Sequence, residues 1–255
     1  MFVARAARAD EPAYVELDGA HAHVLDGAPW SGGRRTGEVL EADGLEFLAP
    51  TEPSKVVAVG RNYREHIREM GYDVPVEPTI FLKPPTAVLA PGGDVVLPPA
   101  ALSSQVEHEG ELALVIGRPT RNVPVGRALE SVFGVTCAND VTARDLQRRD
   151  ASLTRAKGFD TFCPLGPWIV TGLDLEAGLT VRCRVNDELR QVGNTRDLVF
   201  GLAEIVAAVS AFATLLPGDV VLTGSPGGSA RLMAGDEVGV EVEGVGTLCH
   251  GVTAS

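Results

Sequence analysis

The segment from Val106 to Ile116 constrains the fold of this chain more than any other, because apolar and acidic side chains alternate along it. Neighbouring side chains of a β-strand point to opposite faces, so residues two apart share a face about 7 Å apart. One face would carry the apolar residues Val106, Leu112, Leu114 and Ile116, and the other the carboxylates Glu107, Glu109 and Glu111. The pattern predicts a strand with one face in the core and the other lined with carboxylates.

Carboxylates stacked on one face repel each other unless solvent or a cation lies between them. Sites made only of oxygen ligands suit hard ions such as Mg²⁺, Mn²⁺ or Ca²⁺. Asn139-Asp140 follows the apolar segment Val132–Ala138 and precedes a predicted helix, where it would add another acidic group. Two alternatives stay open at this point: the glutamates form a solvated strand end, and Asp140 or Thr142 caps the helix.

The fold class follows from the balance of elements, which is mixed and mostly β with few helices and argues against a regular βαβ repeat. We expect residues 1–50 to form a small β-rich N-terminal module and residues 51–255 to form a larger catalytic domain. The predicted strands are Ala13–Leu17, His21–Leu25, Val56–Val59, Val106–Ile116, Val132–Ala138, Asp219–Thr223 and Glu237–Val242. The predicted helices are Arg61–Met70, Val141–Arg149 and Leu198–Leu215, the last started by Asp197, ended by Pro217-Gly218 and apolar nearly all round.

The charge and the cysteines limit the possible partners and location. The formal net charge of −12 disfavours nucleic acid and anionic lipid as partners. No apolar run reaches the roughly 20 residues of a membrane span, and Met1–Asp10 shows no signal-peptide pattern. The four cysteines form no C-x-x-C pair, so we expect reduced thiols in a cytoplasmic protein.

Gly224–Gly228 matches neither a Walker loop nor a nucleophile elbow. Several short motifs follow one another from about residue 55 to the C-terminus: Gly60–Tyr63 with His66 and Glu69, Phe81–Pro84, His108–Leu112, Asn139–Gln147, Lys157–Pro167, Gln191, Asn194-Thr195 and Leu222–Pro226. Together and in this order, they resemble the fumarylacetoacetate hydrolase family.

The resemblance implies a β-roll with a few helices, usually in a homodimer, around an acidic metal site. It assigns the metal ligands to Glu109, Glu111 and Asp140, and leaves Glu107 outside the motif. Three monodentate carboxylates fill half of an octahedral Mg²⁺ shell, with Mn²⁺ or Ca²⁺ as alternatives. The open half would take a small anionic 2-oxo acid and stabilise its enolate.

The metal site alone does not distinguish between reactions, and the resemblance implies a hydrolase that cleaves a C–C bond in an acylpyruvate or β-diketo acid through a metal-bound enolate. The same site would serve a 2-oxo-dienedioate isomerase/decarboxylase, an oxaloacetate decarboxylase or a sugar-acid dehydratase. A non-catalytic metal-binding protein is a further alternative.

The resemblance also assigns roles to side chains around the metal. His66 would act as general base with Glu69 orienting it, although residues three apart on a helix also share an ordinary exposed face. Lys157 would stabilise negative charge on the substrate, instead of being a surface lysine. The predicted substrate-binding residues are Arg61, Tyr63, Lys83, Gln147, Thr223 and Ser225. Ser225 stands where threonine is commoner in the family, which affects the distal pocket and not the metal site.

Overall fold

The computed structural model describes residues 1–9, 11–69 and 71–255. The first nine strands are β1 (Phe2–Ala6), β2 (Ala13–Asp18), β3 (His21–Leu25), β4 (Arg35–Glu41), β5 (Phe47–Leu48), β6 (Val56–Gly60), β7 (Thr79–Lys83), β8 (Val88–Leu89) and β9 (Asp94–Leu97). The others are β10 (Val106–Glu107), β11 (Gly110–Ile116), β12 (Val132–Asn139), β13 (Thr142–Ala143), β14 (Cys163–Val170), β15 (Thr180–Val185), β16 (Glu188–Asn194), β17 (Val220–Leu222), β18 (Glu237–Val242) and β19 (Gly246–Ala254). The α-helices are α1 (Arg64–Glu69), α2 (Val125–Ala128), α3 (Arg144–Arg149), α4 (Thr154–Lys157) and α5 (Leu202–Phe212).

Two sheets enclose the main core. The larger has the order β4-β3-β2-β1-β14-β12-β11-β17-β6-β7, with β5 joined to β1 and β8 to β14. The smaller has the order β16-β15-β18-β19-β9. Leu112 and Leu114 of β11 pack with Val181 and Val240 of the second sheet in one hydrophobic cluster. The mostly β fold class is therefore confirmed, and so is the apolar face predicted for β11.

The N-terminal strands continue the larger sheet. Strand β1 pairs with β2 on one side and with β14 on the other, where Phe2 lies opposite Val170. The predicted strands β2 and β3 are present, and β1 and β4 add to them. The functional division of the chain at residue 50 stays a prediction.

The predicted strand Val106–Ile116 is wrong in one respect, because it is interrupted at His108-Glu109. At the interruption the main-chain N–H of Glu109 donates to the side chain of Asn139 at 2.8 Å and leaves the regular ladder. Gly110 then restarts the strand, close enough to the second sheet that a Cβ there would lie 2.9 Å from Cys183 Cβ. The odd-numbered glutamates therefore do not form one continuous ladder.

The helix predictions were right in place and too long in extent. The helix predicted at Leu198 begins at Leu202, where the Glu204 carboxylate accepts from the Gly201 N–H at 2.7 Å, and it ends at Phe212. Its apolar composition predicts burial against a sheet; Ile205, Val206 and Val209 are buried, whereas Phe212 at its end is 58% exposed.

The other two predicted helices also begin late. Arg61 has a left-handed backbone with φ 56°, so α1 begins at Arg64, and the predicted end at Met70 lies outside the described residues. The helix predicted from Val141 begins at Arg144, after the short strand β13. Within the described ranges, no helix combines the length and apolar character needed to cross a membrane.

Candidate metal centre

Three buried carboxylates meet where β10, β11 and β12 come together. Glu109 lies in the interruption before β11, Glu111 is the second residue of β11, and Asp140 directly follows β12. Each contributes an oxygen atom, and these atoms lie within 4.8 Å of one another. The side chains are no more than 9% exposed, so solvent does not separate their charges.

Main-chain hydrogen bonds hold the three acidic residues in place. The Asp140 N–H donates to the Glu109 carbonyl at 2.8 Å, which joins the two ligand-bearing segments. The Glu111 carboxylate accepts from the Gly224 N–H at 2.7 Å. Gly224 has φ 103°, and a Cβ there would lie 2.7 Å from Asn62 Cβ, so the position requires glycine.

Three cationic side chains neutralise part of this acidic cluster. The Lys157 ammonium group lies between Glu109 and Asp140, 2.6 Å from an oxygen of each. Lys83 Nζ is 2.5 Å from Asp140 Oδ1, whereas Lys157 contacts the other carboxylate oxygen, Oδ2. Arg144 donates to Glu109 at 2.6 Å and, through Nε, to Glu107 at 2.9 Å.

The pKa values follow from this uneven pairing. Burial alone would raise the pKa of Glu109, but Lys157 and Arg144 together hold it well below its ordinary range. Burial, with Asp140 and Glu109 nearby, raises the pKa of Glu111 well above its ordinary range. Burial would lower the pKa of Lys157, yet Asp140 and Glu109 raise it. Glu111 is thus the carboxylate that most needs a further positive charge to stay ionised.

The donor set fits a hard divalent cation. It consists of three carboxylates from rigid strand ends, with oxygen atoms close enough to share one ion. Together with Glu107, four carboxylates face the three cations Lys83, Arg144 and Lys157. A divalent cation would change this balance from one negative charge to one positive charge, which suits an anionic ligand.

The acidic cluster borders a cavity of about 130 Å³, which Glu109 and Glu111 line. Helix α1 forms part of its wall, with His66 pointing into it and only 12% of the His66 side chain exposed. His66 Nδ1 lies 3.5 Å from Glu69 Oε2, and the same oxygen accepts from the Gly228 N–H at 3.1 Å. The predicted base His66 and two of the predicted ligands, Glu109 and Glu111, therefore line one small chamber. Glu69 contacts His66 but is not among the residues that line the chamber.

A family model described as fumarylacetoacetate (FAA) hydrolase C-terminal matches residues 55–253, and another described as Rv2993c-like, N-terminal matches residues 1–50. The chain belongs to the fumarylacetoacetate hydrolase family. The resemblance drawn from the sequence motifs is thereby confirmed.

Relatives in this family carry different activities. 5-Carboxymethyl-2-hydroxymuconate delta-isomerase from Mycobacterium smegmatis has 44% identity and a TM-score of 0.92 over the whole of both chains. Human mitochondrial oxaloacetate tautomerase is 43% identical over 84% of this chain and 71% of its own length. Fumarylpyruvate hydrolase from Pseudomonas aeruginosa, solved with Mn²⁺ and pyruvate, has 31% identity and a TM-score of 0.75 over 84% of this chain and 93% of that one.

The predicted substrate-binding residues of this family member fall into two groups. Arg61, Gln147 and Ser225 line the cavity, and Arg61 stacks on the Tyr72 ring at 4.1 Å. Lys83, Tyr63 and Thr223 are buried and not among the residues that line it.

The second group has other contacts. Lys83 bonds to Asp140, and the Thr223 hydroxyl donates to the Leu112 carbonyl at 2.9 Å. The Tyr63 hydroxyl has no hydrogen-bond partner among the described residues. A direct substrate contact by any of these six residues stays a prediction.

Two polar residues that matter to the site belong to segments that resemble the family, but the sequence assigns neither of them a role. Arg144 bonds to Glu107, Glu109 and Gln147. Gln191 accepts from His108 Nδ1 and from the Gly110 N–H, both at 2.9 Å, and donates to Ser225 Oγ at 2.8 Å. A buried glutamine with all these partners fixes the H-E-G-E segment against the Ser225 loop.

Proposed function

We propose that this protein is a divalent-metal-dependent enzyme that interconverts the enol and keto forms of a small 2-oxo dicarboxylic acid, with oxaloacetate as the test substrate. The observation that carries the proposal is a cluster of three carboxylates, two of which, Glu109 and Glu111, line one chamber of about 130 Å³ together with His66. The chamber suits a small acid, and isomerase and tautomerase relatives are more than 40% identical to this chain.

Glu109, Glu111 and Asp140 would hold the metal ion, with Mg²⁺ or Mn²⁺ expected. A bound divalent cation supplies Lewis-acid polarisation of the 2-oxo group, which makes the adjacent C–H more acidic. Lys157 is fixed between Glu109 and Asp140 and lines the same chamber, where its charge favours a substrate oxygen.

Two arginines at the cavity would hold the second carboxylate of the substrate. Arg61 is stacked on Tyr72, and Arg148 donates to the neutral side chain of Gln105. Neither forms an ion pair with a carboxylate of the described residues, so both keep their charge for a ligand. In a chain with net charge −12, such a local cationic surface favours a dianionic substrate.

His66 would move the proton between carbon and oxygen. Its Nδ1 faces Glu69, which leaves Nε2 as the nitrogen available to the chamber. A carboxylate at Nδ1 favours the tautomer with the proton on Nδ1, so Nε2 is free to accept a proton.

Hydrolysis of the C–C bond of an acylpyruvate is the second candidate, since a His66–Glu69 pair at the chamber wall would equally activate water. The fumarylpyruvate hydrolase among the relatives supports this alternative. A homodimer, a cytoplasmic location and the absence of nucleic-acid and membrane partners are further proposals, the first checked by the mass in solution.

The experiment uses metal-stripped protein with and without Mg²⁺ or Mn²⁺. The loss of enol absorbance of oxaloacetate measures tautomerisation, and a coupled pyruvate assay detects decarboxylation, or hydrolysis when acylpyruvate is supplied. We expect metal-dependent ketonisation that falls at least a hundredfold in His66→Gln, while His21→Gln on the exposed start of β3 keeps full activity. Pyruvate release from acylpyruvate without ketonisation of oxaloacetate would establish the hydrolase instead.

A further inference from the structure

His250 connects the second sheet to the metal centre. It lies on β19 and is 3% exposed, and its Nε2 is 2.9 Å from Asn139 Nδ2 at the end of β12. Asn139 immediately precedes the ligand Asp140. One hydrogen bond between the sheets therefore ends directly beside the acidic cluster.

Main-chain groups fix the direction of each hydrogen bond that links Glu109, Asn139 and His250. The Glu109 N–H can only donate, so the Asn139 atom that faces it is the carbonyl oxygen, at 2.8 Å. The Asn139 NH₂ group then points to His250 and donates to Nε2. The proton of the His250 ring must be on Nδ1, which lies 3.0 Å from the Gly251 carbonyl as its acceptor.

These hydrogen bonds determine where Glu109 lies. Glu109 falls in the interruption between β10 and β11, and its N–H is bonded to the Asn139 side chain instead of to a ladder carbonyl. Rotation of the Asn139 amide by half a turn would place an NH₂ group against that N–H. His250 prevents this rotation, because only an acceptor faces Asn139 from β19.

We propose that His250, acting through Asn139, is a positioning residue of the metal centre that holds Glu109 at the distance from Asp140 needed to bind the ion. The inference rests on the metal site of the proposed function and concerns residues outside its ligand set. Partners that orient metal ligands without touching the ion typically affect affinity by about 10- to 100-fold. We expect a loss of that size when the His250–Asn139 bond is cut.

The test is calorimetric titration of the metal-stripped, full-length protein with Mn²⁺, at a temperature where each variant is folded by circular dichroism. His250→Leu removes the acceptor and should weaken Mn²⁺ binding about tenfold or more. His250→Gln offers a side-chain oxygen to Asn139 and should recover most of the affinity. Thr136→Val is the matched control: it changes a buried hydroxyl on the same strand that has no hydrogen-bond partner within the described part of the chain, and should leave Mn²⁺ affinity unchanged.

Asn139→Ala removes both the contact with His250 and the acceptor of the Glu109 N–H, so it tests the Asn139 half of the link if His250→Leu does not fold. Because His250 acts through Asn139, adding His250→Leu to Asn139→Ala should change affinity less than about twofold. Wild-type affinity in both single variants would overturn the positioning role while the metal centre stands. Absence of Mn²⁺ binding to the wild type would overturn the metal centre, and this inference with it.

Discussion

Lowering the pH of the metal-free protein tests the neutral state of His250 through the stability of the fold. Burial lowers the pKa of His250 to about 4, whereas an unfolded histidine titrates near 6.5. A charged ring would also place an N–H against the NH₂ group of Asn139. The unfolded state therefore binds this proton first, so the stabilisation by the neutral ring is complete above pH 6.5 and is lost as pH falls toward 4.

The two pKa values give the size of the effect. Between about pH 7.5 and pH 5, protonation of the unfolded chain at this one position lowers the free energy of unfolding by about 2 kcal/mol. His250→Gln does not titrate, so its free energy of unfolding should fall by about 2 kcal/mol less over the same range. Other acidic and histidine groups titrate in both proteins and cancel in the comparison.

Urea unfolding of wild type and His250→Gln at the two pH values, with a chelator present, measures this difference. Equal pH dependence in the two proteins would refute the reasoning. It would mean that the folded state accepts a proton on His250 as readily as the unfolded chain, and that Asn139 can turn to accommodate it.

Three further predictions concern the site and its frame. Mn²⁺ at about 100 times its dissociation constant should raise the free energy of unfolding by about 2.7 kcal/mol. Thermal unfolding should show this effect lost in Glu111→Gln and kept in Glu237→Gln, at the exposed start of β18. Gly110→Ala should lower the free energy of unfolding in urea by about 1–3 kcal/mol, because a Cβ there meets the facing strand β15. Gly126→Ala, where a Cβ has open space around it, should not lower this free energy. Equal stability of the two variants would contradict the packing argument. Arg148→Gln should raise KM for oxaloacetate about tenfold with little change in kcat, and an unchanged KM would remove the arginine from substrate binding.

The parts of this site that the sequence predicts are those encoded by local spacing. Glu109 and Glu111 are two apart beside an apolar strand, and Asp140 follows another, so each is a candidate within its own short window. The resemblance to the family then joins the three into one predicted site. The sequence of residues 106–116 does not predict the interruption at His108-Glu109. The Glu109 N–H bonds to the side chain of Asn139, 30 residues away, instead of to a neighbouring strand.

The supporting residues depend on still longer separations. Gln191 reaches His108 across 83 residues, and His250 reaches Asn139 across 111. The spacing of residues along the chain carries no sign of such pairs, since they form only when the two sheets pack together. The predicted start of the last helix was wrong for a different reason. The apolar run begins at Leu198, but the helix begins at Leu202, where the Glu204 carboxylate accepts from the Gly201 N–H and caps the first turn.

The N-terminal strands cover one side of β14, because β1 pairs with it at Phe2 and Val3. If residues 1–50 were removed, the N–H and carbonyl groups of β14 opposite Phe2 and Val3 would lose these partners, on a strand that is almost wholly buried. Exposed strand edges of this kind recruit strands from other molecules. We therefore expect loss of the N-terminal strands to favour self-association of the protein through β14, in a part of the fold that carries none of Glu109, Glu111 and Asp140.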